Sequence, residues 1–140
     1  MFSHFLAAQD PIYDTVRAEL RAGRKVTHWM WFIFPQLRAL GRSSTAQRFG
    51  IADLAEPEAY LRHPVLGPRL VECTGLVNAV TGLSAHEIFG SPDDFKYRSS
   101  MTLFAHADPA VPAFREALKR YYDGVEDPLT LEFIGGGPAR

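Results

Sequence analysis

The segment from His28 to Gln36 places the strongest constraint on how this chain can fold. Within it, six consecutive large apolar residues, Trp29 to Phe34, are followed directly by a proline. Successive residues of an α-helix are turned by about 100°, so an apolar run of this length covers every face of the helix. We therefore expect the segment to be surrounded by protein, or to leave one side open to a pocket.

The two tryptophans of this segment also have a functional interpretation. Trp29 or Trp31 can form an aromatic wall for a planar ligand, with His28 and Gln36 supplying hydrogen bonds at the rim. Burial in the core is the commoner use of aromatic side chains and is the favoured interpretation. The four residues are retained as candidates for ligand binding.

Proline, glycine and helix-capping residues divide the rest of the chain into short segments. Asp10-Pro11 and Asp127-Pro128 each combine an N-cap residue with a proline at the first helical position. Capping-box spacing follows Ser44, Ser84 and Ser91. Since no segment shows sustained alternation of apolar and polar residues, we expect an all-α fold of about seven helices, several of them only one or two turns long.

The length and composition of the chain are those of an ordinary globular protein. It has 140 residues, of which 46% are hydrophobic and 22% are charged, enough to build a hydrophobic core without disulfides or metals. We expect a single helical domain over residues 1–134. Residues 135–140 begin with three glycines and are expected to form a flexible C-terminal tail.

Charge and hydropathy narrow the possible partners and location. Fifteen Lys and Arg residues against sixteen Asp and Glu leave a formal charge of -1, without a basic run, so nucleic-acid binding is not expected. The longest apolar run is far shorter than the roughly 20 residues that span a membrane. With one cysteine, Cys73, and no signal-peptide pattern at the start, a cytoplasmic location is expected.

A second group of candidates surrounds the predicted start of a helix after Gly41. Arg42, Ser43 and Ser44 place a guanidinium and two hydroxyls there. Free amides and the positive end of the helix dipole make such a position suitable for an anion. Helix capping with nothing bound is the more common role of these residue types.

The third group lies on a predicted helix that ends at Phe104. Lys96, Ser99 and Ser100 share one helical face by their spacing. Serine is a poor residue for a helix interior unless its hydroxyl has a role. Recognition of an anion or a hydroxyl is one interpretation, and small residues that admit a neighbouring helix are the other.

Other chemistry finds little support in the sequence. The five histidines show neither His-x-x-x-His nor His-Glu-x-x-His spacing, so we predict no metal site and no cofactor. Asp93 and Asp94 fall in the first turn of a predicted helix, where carboxylates stabilise the helix dipole, and are interpreted as structural. No residue is assigned a catalytic role.

Five strings of this sequence together resemble the bacterial domain-of-unknown-function family numbered 1810. They are His28-Trp-Met-Trp-Phe-Ile-Phe-Pro-Gln36, Leu40-Gly-Arg-Ser-Ser44, His63-Pro-Val-Leu-Gly67, Ile88-Phe-Gly90 and Lys96-Tyr-Arg-Ser-Ser-Met-Thr-Leu-Phe104. The resemblance implies a compact, mainly helical single domain and no established activity. Some members carry the label calpastatin, but this chain has no repetitive inhibitor segment of the calpastatin kind, so the label gives no functional guide.

A fainter similarity concerns the stretch from Leu66 to Gly90. Leu70-Val-Glu72, Thr74-Gly75 and Ile88-Phe-Gly90 are similar to parts of the YbiA-like NADAR domains, although the order of elements differs. Those domains act on ADP-ribose and related N-glycosides. The similarity implies, as a hypothesis, activity or binding directed at ribosyl compounds.

Three functions therefore compete at this point. The first is a pocket for a small nucleotide or ribosyl-phosphate ligand, edged by the aromatic helix and by the candidates named above. The second is a protein-interaction module without catalysis, using Tyr121, Tyr122 and Phe133. The third is an N-glycosidase-type enzyme, which needs a carboxylate such as Glu72, Glu87 or Asp94 in the pocket. The oligomeric state is left open.

Overall fold

The computed structural model describes residues 2–52 and 55–135, and this part of the chain is mostly helical. In these ranges there are ten α-helices and one 3-10 turn, Arg38–Leu40. The all-α class is confirmed. The helices are α1 (Ser3–Gln9), α2 (Tyr13–Arg21), α3 (Met30–Ile33), α4 (Ser44–Phe49), α5 (Ala55–Arg62), α6 (Leu66–Asn78), α7 (Ala85–Phe89), α8 (Asp93–Ala107), α9 (Pro112–Tyr122) and α10 (Pro128–Phe133).

The expected number of about seven helices is wrong, since ten occur in the described ranges. α1 carries no capping signal in the sequence, because it begins after Phe2 without a side-chain hydrogen bond to its first turn. Asp10, the expected N-cap of the next helix, instead ends α1. Its amide donates to the Leu6 carbonyl (2.9 Å), and its carboxylate pairs with Arg69 (2.8 Å).

The capping signals near the C-terminal half are confirmed at two helices. Ser84 and Glu87 form a complete capping box at the start of α7. Asp127 caps α10, because its side chain accepts a hydrogen bond from the Thr130 amide (3.2 Å). These residues satisfy amides that a helix start leaves without intrahelical partners.

Two other predicted caps differ from the structure. α4 is capped by Ser43, whose Oγ accepts from the Ala46 amide (3.1 Å), so Ser44 lies inside the first turn. At α8 the residue before the helix is Pro92, which offers no side-chain cap, so Ser91 does not form the expected capping box.

α8 runs through the centre of the molecule. It packs against α5, α7, α9 and α10, while α6 packs against α2, α5 and α9. Tyr97, Met101 and Phe104 of α8 are fully buried. The aromatic segment joins the same core, because only Phe32 within the run Trp29 to Phe34 is partly exposed. The run is therefore mostly buried in the core, as the favoured interpretation expects.

The segment after α3 turns back to meet the end of α4. Leu37 and Ile51 form an isolated parallel bridge. The Arg38 amide donates to the Ile51 carbonyl (2.9 Å), and the Ile51 amide donates to the Gln36 carbonyl (2.8 Å). These bonds fix α4 beside the aromatic segment, and with it the position of Ser43.

Two further expectations concern the termini and the membrane. The predicted tail at residues 135–140 lies outside the described residues except for Gly135, whose amide donates to the Glu132 carbonyl (3.3 Å). Over residues 2–52 and 55–135, no helix has both the length and the apolar character that a membrane crossing requires.

Candidate functional site

A cleft of about 400 Å³ opens beside the aromatic segment. Its walls come from the loop after α2, from α3, from the ends of α4 and from the first turn of α8. The first turn of α8 is far from the other elements in the sequence and meets them only in the fold. The lining residues are Lys25, His28, Trp29, Met30, Trp31, Phe32, Ser43, Thr45, Phe49, Asp93 and Lys96.

Five of the ten candidates named from the sequence lie together in this cleft. They come from all three candidate groups, which the structure thereby brings to one place. His28 and Ser43 are exposed, and Lys96 is partly exposed, whereas the two tryptophans are largely covered. The five are His28, Trp29, Trp31, Ser43 and Lys96.

The other five candidates do not line the cleft. Gln36 is buried, while Arg42 and Ser44 are exposed. Ser99 contacts α10, because its Oγ lies 3.0 Å from Oδ2 of the α10 cap residue Asp127. Ser100 is fully buried in the core.

Two lysines meet on one carboxylate at the side of the cleft formed by α8. Lys25 Nζ lies 2.8 Å from Asp93 Oδ2, and Lys96 Nζ lies 3.4 Å from Asp93 Oδ1. The exposed fractions of the three side chains are 7% for Lys25, 19% for Asp93 and 29% for Lys96. Within the trio there are two positive charges and one negative charge.

Each of the two ammonium groups also lies over an indole ring. Lys25 Nζ is 5.0 Å from the ring centroid of Trp29, and Lys96 Nζ is 5.8 Å from that of Trp31. Both distances fall in the range of cation–π attraction. The ring faces on this side are therefore covered by lysines, and a planar ligand stacks there only by displacing them.

Trp31 is held on another side by a close backbone approach. A Cβ atom at Gly41 would lie 2.6 Å from Trp31 Cζ2 and 2.7 Å from the Ala46 Cβ atom. Only glycine fits such a gap. The indole therefore packs closely against the backbone before α4 and also lies near the ammonium group of Lys96.

Glu19 of α2 fixes the loop that carries Lys25 and Trp29. Its carboxylate accepts hydrogen bonds from the Val26 amide (2.7 Å), from the amide and hydroxyl of Thr27 (3.1 and 2.7 Å) and from Trp29 Nε1 (2.9 Å). Burial alone would raise the pKa of this carboxyl, but the donated hydrogen bonds outweigh burial and lower the pKa to about 2. Glu19 is therefore ionised at neutral pH and positions one wall of the cleft.

The carboxylates that an N-glycosidase was expected to use lie elsewhere. Glu72 accepts a hydrogen bond from the Tyr13 hydroxyl, Glu87 closes the capping box of α7, and Asp94 faces His86 (3.3 Å). Asp93 is the carboxylate in the lining. In the described part of the chain, no group of three or more His, Cys, Asp and Glu side chains is placed to hold a metal ion.

Sequence reasoning missed Lys25 and gave Asp93 a purely structural role. Asp93 does lie in the first turn of α8, as its position after Ser91-Pro92 indicates. It also forms an ion pair with Lys25, which reaches it from a loop almost 70 positions earlier in the sequence. The spacing of Asp93 and Lys96 at i and i+3 was the one local signal for this pair.

The chain matches the family model described as "Protein of unknown function (DUF1810)" over residues 1–134, and it belongs to that family. The resemblance noted in the sequence is thereby confirmed. It is also similar to a solved structure, the crystal structure of the conserved hypothetical protein Rv1873 from Mycobacterium tuberculosis. The two share 57% sequence identity with a TM-score of 0.94, over 95% of each chain. A comparison with curated proteins finds no match.

Proposed function

We propose that this protein binds a small phosphorylated ligand, of the nucleotide or ribosyl-phosphate type, in the cleft beside the aromatic segment. The observation that carries the proposal is the convergence of Lys25 and Lys96 on the single carboxylate of Asp93. Two ammonium groups against one carboxylate leave a positive charge without a partner inside the trio. Such a charge, in a partly enclosed cleft, favours an anion.

The size and donors of the cleft support the same ligand class. Its volume of about 400 Å³ lies within the range of small-molecule sites, roughly 300–1,000 Å³. Each lysine ammonium group has three N–H donors, so Lys96 retains donors beyond its contact with Asp93. The hydroxyls of Ser43 and Thr45 also line the cleft and are exposed, where they can hydrogen-bond phosphate oxygens.

Thermal denaturation with nucleotides and sugar phosphates tests the proposal. A ligand at 100 times its Kd should raise the free energy of unfolding by about 2.7 kcal/mol. Lys96→Met keeps most of the apolar stem of the side chain but removes its charge, so it should weaken binding at least about tenfold, the loss expected for a charged hydrogen bond. Lys119→Met, at an exposed position on α9, is the matched control and should bind like the wild type.

Two results would count against this function. One is the absence of a shift in melting temperature with any phosphorylated compound. The other is an equal shift in the wild type and in Lys96→Met, which would place the ligand elsewhere on the molecule.

A protein-interaction module is the second candidate, and one observation favours it. Leu129 and Phe133 are four positions apart on α10, and they are 55% and 59% exposed. Residues at this spacing share a helix face, so α10 presents apolar surface. The tyrosines expected in such a patch use their hydroxyls within the fold. The Tyr121 hydroxyl donates to the Val77 carbonyl, and the Tyr122 hydroxyl donates to the Asp94 carbonyl.

A further inference from the structure

We propose that Asp93 and Lys96 recognise a vicinal diol, so that the ligand is a phosphorylated pentose compound that retains both neighbouring hydroxyls. This inference rests on the proposed function and specifies which chemical group of the ligand the cleft recognises. It follows from the unequal roles of the two lysines and from the hydrogen-bonding groups that they leave available.

Lys25 holds the carboxylate in place. Its side chain is 7% exposed and its Nζ lies 2.8 Å from Asp93 Oδ2, within the range of a strong charged hydrogen bond. The Lys25 backbone is also fixed, because its amide donates to the Ile88 carbonyl (2.7 Å). The orientation of the Asp93 side chain is thus set before a ligand arrives.

The second contact of the carboxylate is looser and more accessible. Lys96 Nζ lies 3.4 Å from Asp93 Oδ1, beyond the roughly 2.7–2.9 Å of a tight charged pair. The Lys96 side chain is the most exposed of the three. An acceptor, Oδ1, and a donor, Nζ, are therefore presented side by side to the cleft.

Neighbouring hydroxyls of a sugar match this arrangement. A hydroxyl both donates and accepts, so one hydroxyl of a diol can donate to Oδ1 of Asp93 while the other accepts from Nζ of Lys96. The remaining N–H group of the ammonium stays available for a phosphate oxygen. A nucleobase is the weaker determinant here, because the lysines cover the indole faces on which it would stack.

The charges of the trio give Asp93 a predicted signature that a purely structural residue would not show. A carboxylate attracts a hydroxyl donor but repels a phosphate. Removing its charge should therefore weaken the preference for the diol and, at the same time, tighten the binding of compounds that offer phosphate alone.

The test is calorimetric titration of the full chain with two matched pairs and one simple anion. The pairs are AMP with 2′-deoxyadenosine 5′-phosphate, and ribose 5-phosphate with 2-deoxyribose 5-phosphate; the anion is inorganic phosphate. In the wild type, each deoxy compound should bind about tenfold more weakly than its partner, the usual loss for one hydrogen bond to a charged group. In Asp93→Asn, each deoxy compound should bind only about one to three times more weakly than its partner. Inorganic phosphate should bind this variant more tightly than the wild type.

The possible outcomes separate the two proposals. Equal binding within both pairs by the wild type overturns the diol inference and leaves the phosphorylated-ligand function in place. A tenfold preference that persists in Asp93→Asn, with circular dichroism showing a folded variant, overturns the assignment to Asp93. A wild type that binds none of the five compounds counts against both proposals.

Discussion

At the scale of single residues, the fit of Gly41 against Trp31 makes a direct prediction. Gly41→Ala places a methyl group 2.6 Å from the indole edge and should destabilise the fold by about 1–3 kcal/mol, as overpacking of a filled space does. Because Trp29 and Trp31 are the two tryptophans of the chain, displacement of Trp31 should also change the fluorescence emission. Chemical denaturation and emission spectra measure both effects.

Gly75→Ala is the matched control for that substitution. Gly75 lies inside α6, and a Cβ atom there would meet nothing within 4 Å. Alanine favours a helix over glycine by about 1 kcal/mol, so this variant should be slightly more stable with unchanged emission. If both variants lose stability alike, close packing at Gly41 is not the cause.

Single residues also show which positions of the cleft a local sequence pattern can indicate and which it cannot. His28, Trp29, Trp31, Ser43 and Lys96 line the cleft and were named as candidates because each residue type stands out in its local context. Lys25 stands among the scattered basic residues of the chain and has no such context. Its position above an indole and against Asp93 results from tertiary packing, which no local pattern encodes.

At the scale of elements, Glu19 links α2 to the loop that forms one wall of the cleft, and this link should depend on pH. The carboxyl has a pKa of about 2 in the folded protein against an ordinary value of 4.5. The charged form therefore stabilises the fold above pH 4.5, and this contribution is lost as the pH falls from 4.5 towards 2. The shift corresponds to about 3 kcal/mol at neutral pH.

Unfolding in denaturant between pH 7 and pH 2 checks this prediction. Other carboxylates also titrate in the window, so the informative quantity is the difference between the wild type and Glu19→Gln. That difference should be largest at neutral pH and shrink on acidification. Glu116→Gln, on an exposed position of α9, is the control, and an equal pH profile for the two variants would contradict the role given to Glu19.

The elements themselves were predictable to the extent that their ends carry side-chain signals. α7 and α10 begin at residues whose side chains cap them, and both starts were predicted from Ser84 and Asp127. α1 has no such cap, so its start cannot be found by that criterion. On α8, the spacing of Lys96 and Ser99 predicted that they share one helix face. In the structure Lys96 lies over Trp31, whereas Ser99 contacts Asp127 of α10. The two residues therefore face different neighbouring elements.

At the scale of the whole molecule, the cleft depends on three stretches, 25–32, 43–49 and 93–96. Each stretch contains candidates named from the sequence, although Lys25 is not among them. Their meeting is a consequence of α8 packing at the centre of the fold, with the aromatic segment against it. The sequence supported the all-α class through helix caps and periodicity, whereas the site required contacts between segments about 50 to 70 residues apart.

At the same scale, the exposed apolar surface of α10 bears on the choice between the two proposed functions. A stable interface buries about 800 Å² on each partner, and aromatic side chains bury about 150–250 Å² each when fully covered. Leu129 and Phe133 are little more than half exposed, so together they offer on the order of 200 Å². We therefore predict a monomer at micromolar concentrations by size-exclusion chromatography with light scattering. A dimer that dissociates in Phe133→Ser, but not in Arg42→Ser at another exposed position, would instead favour the interaction module.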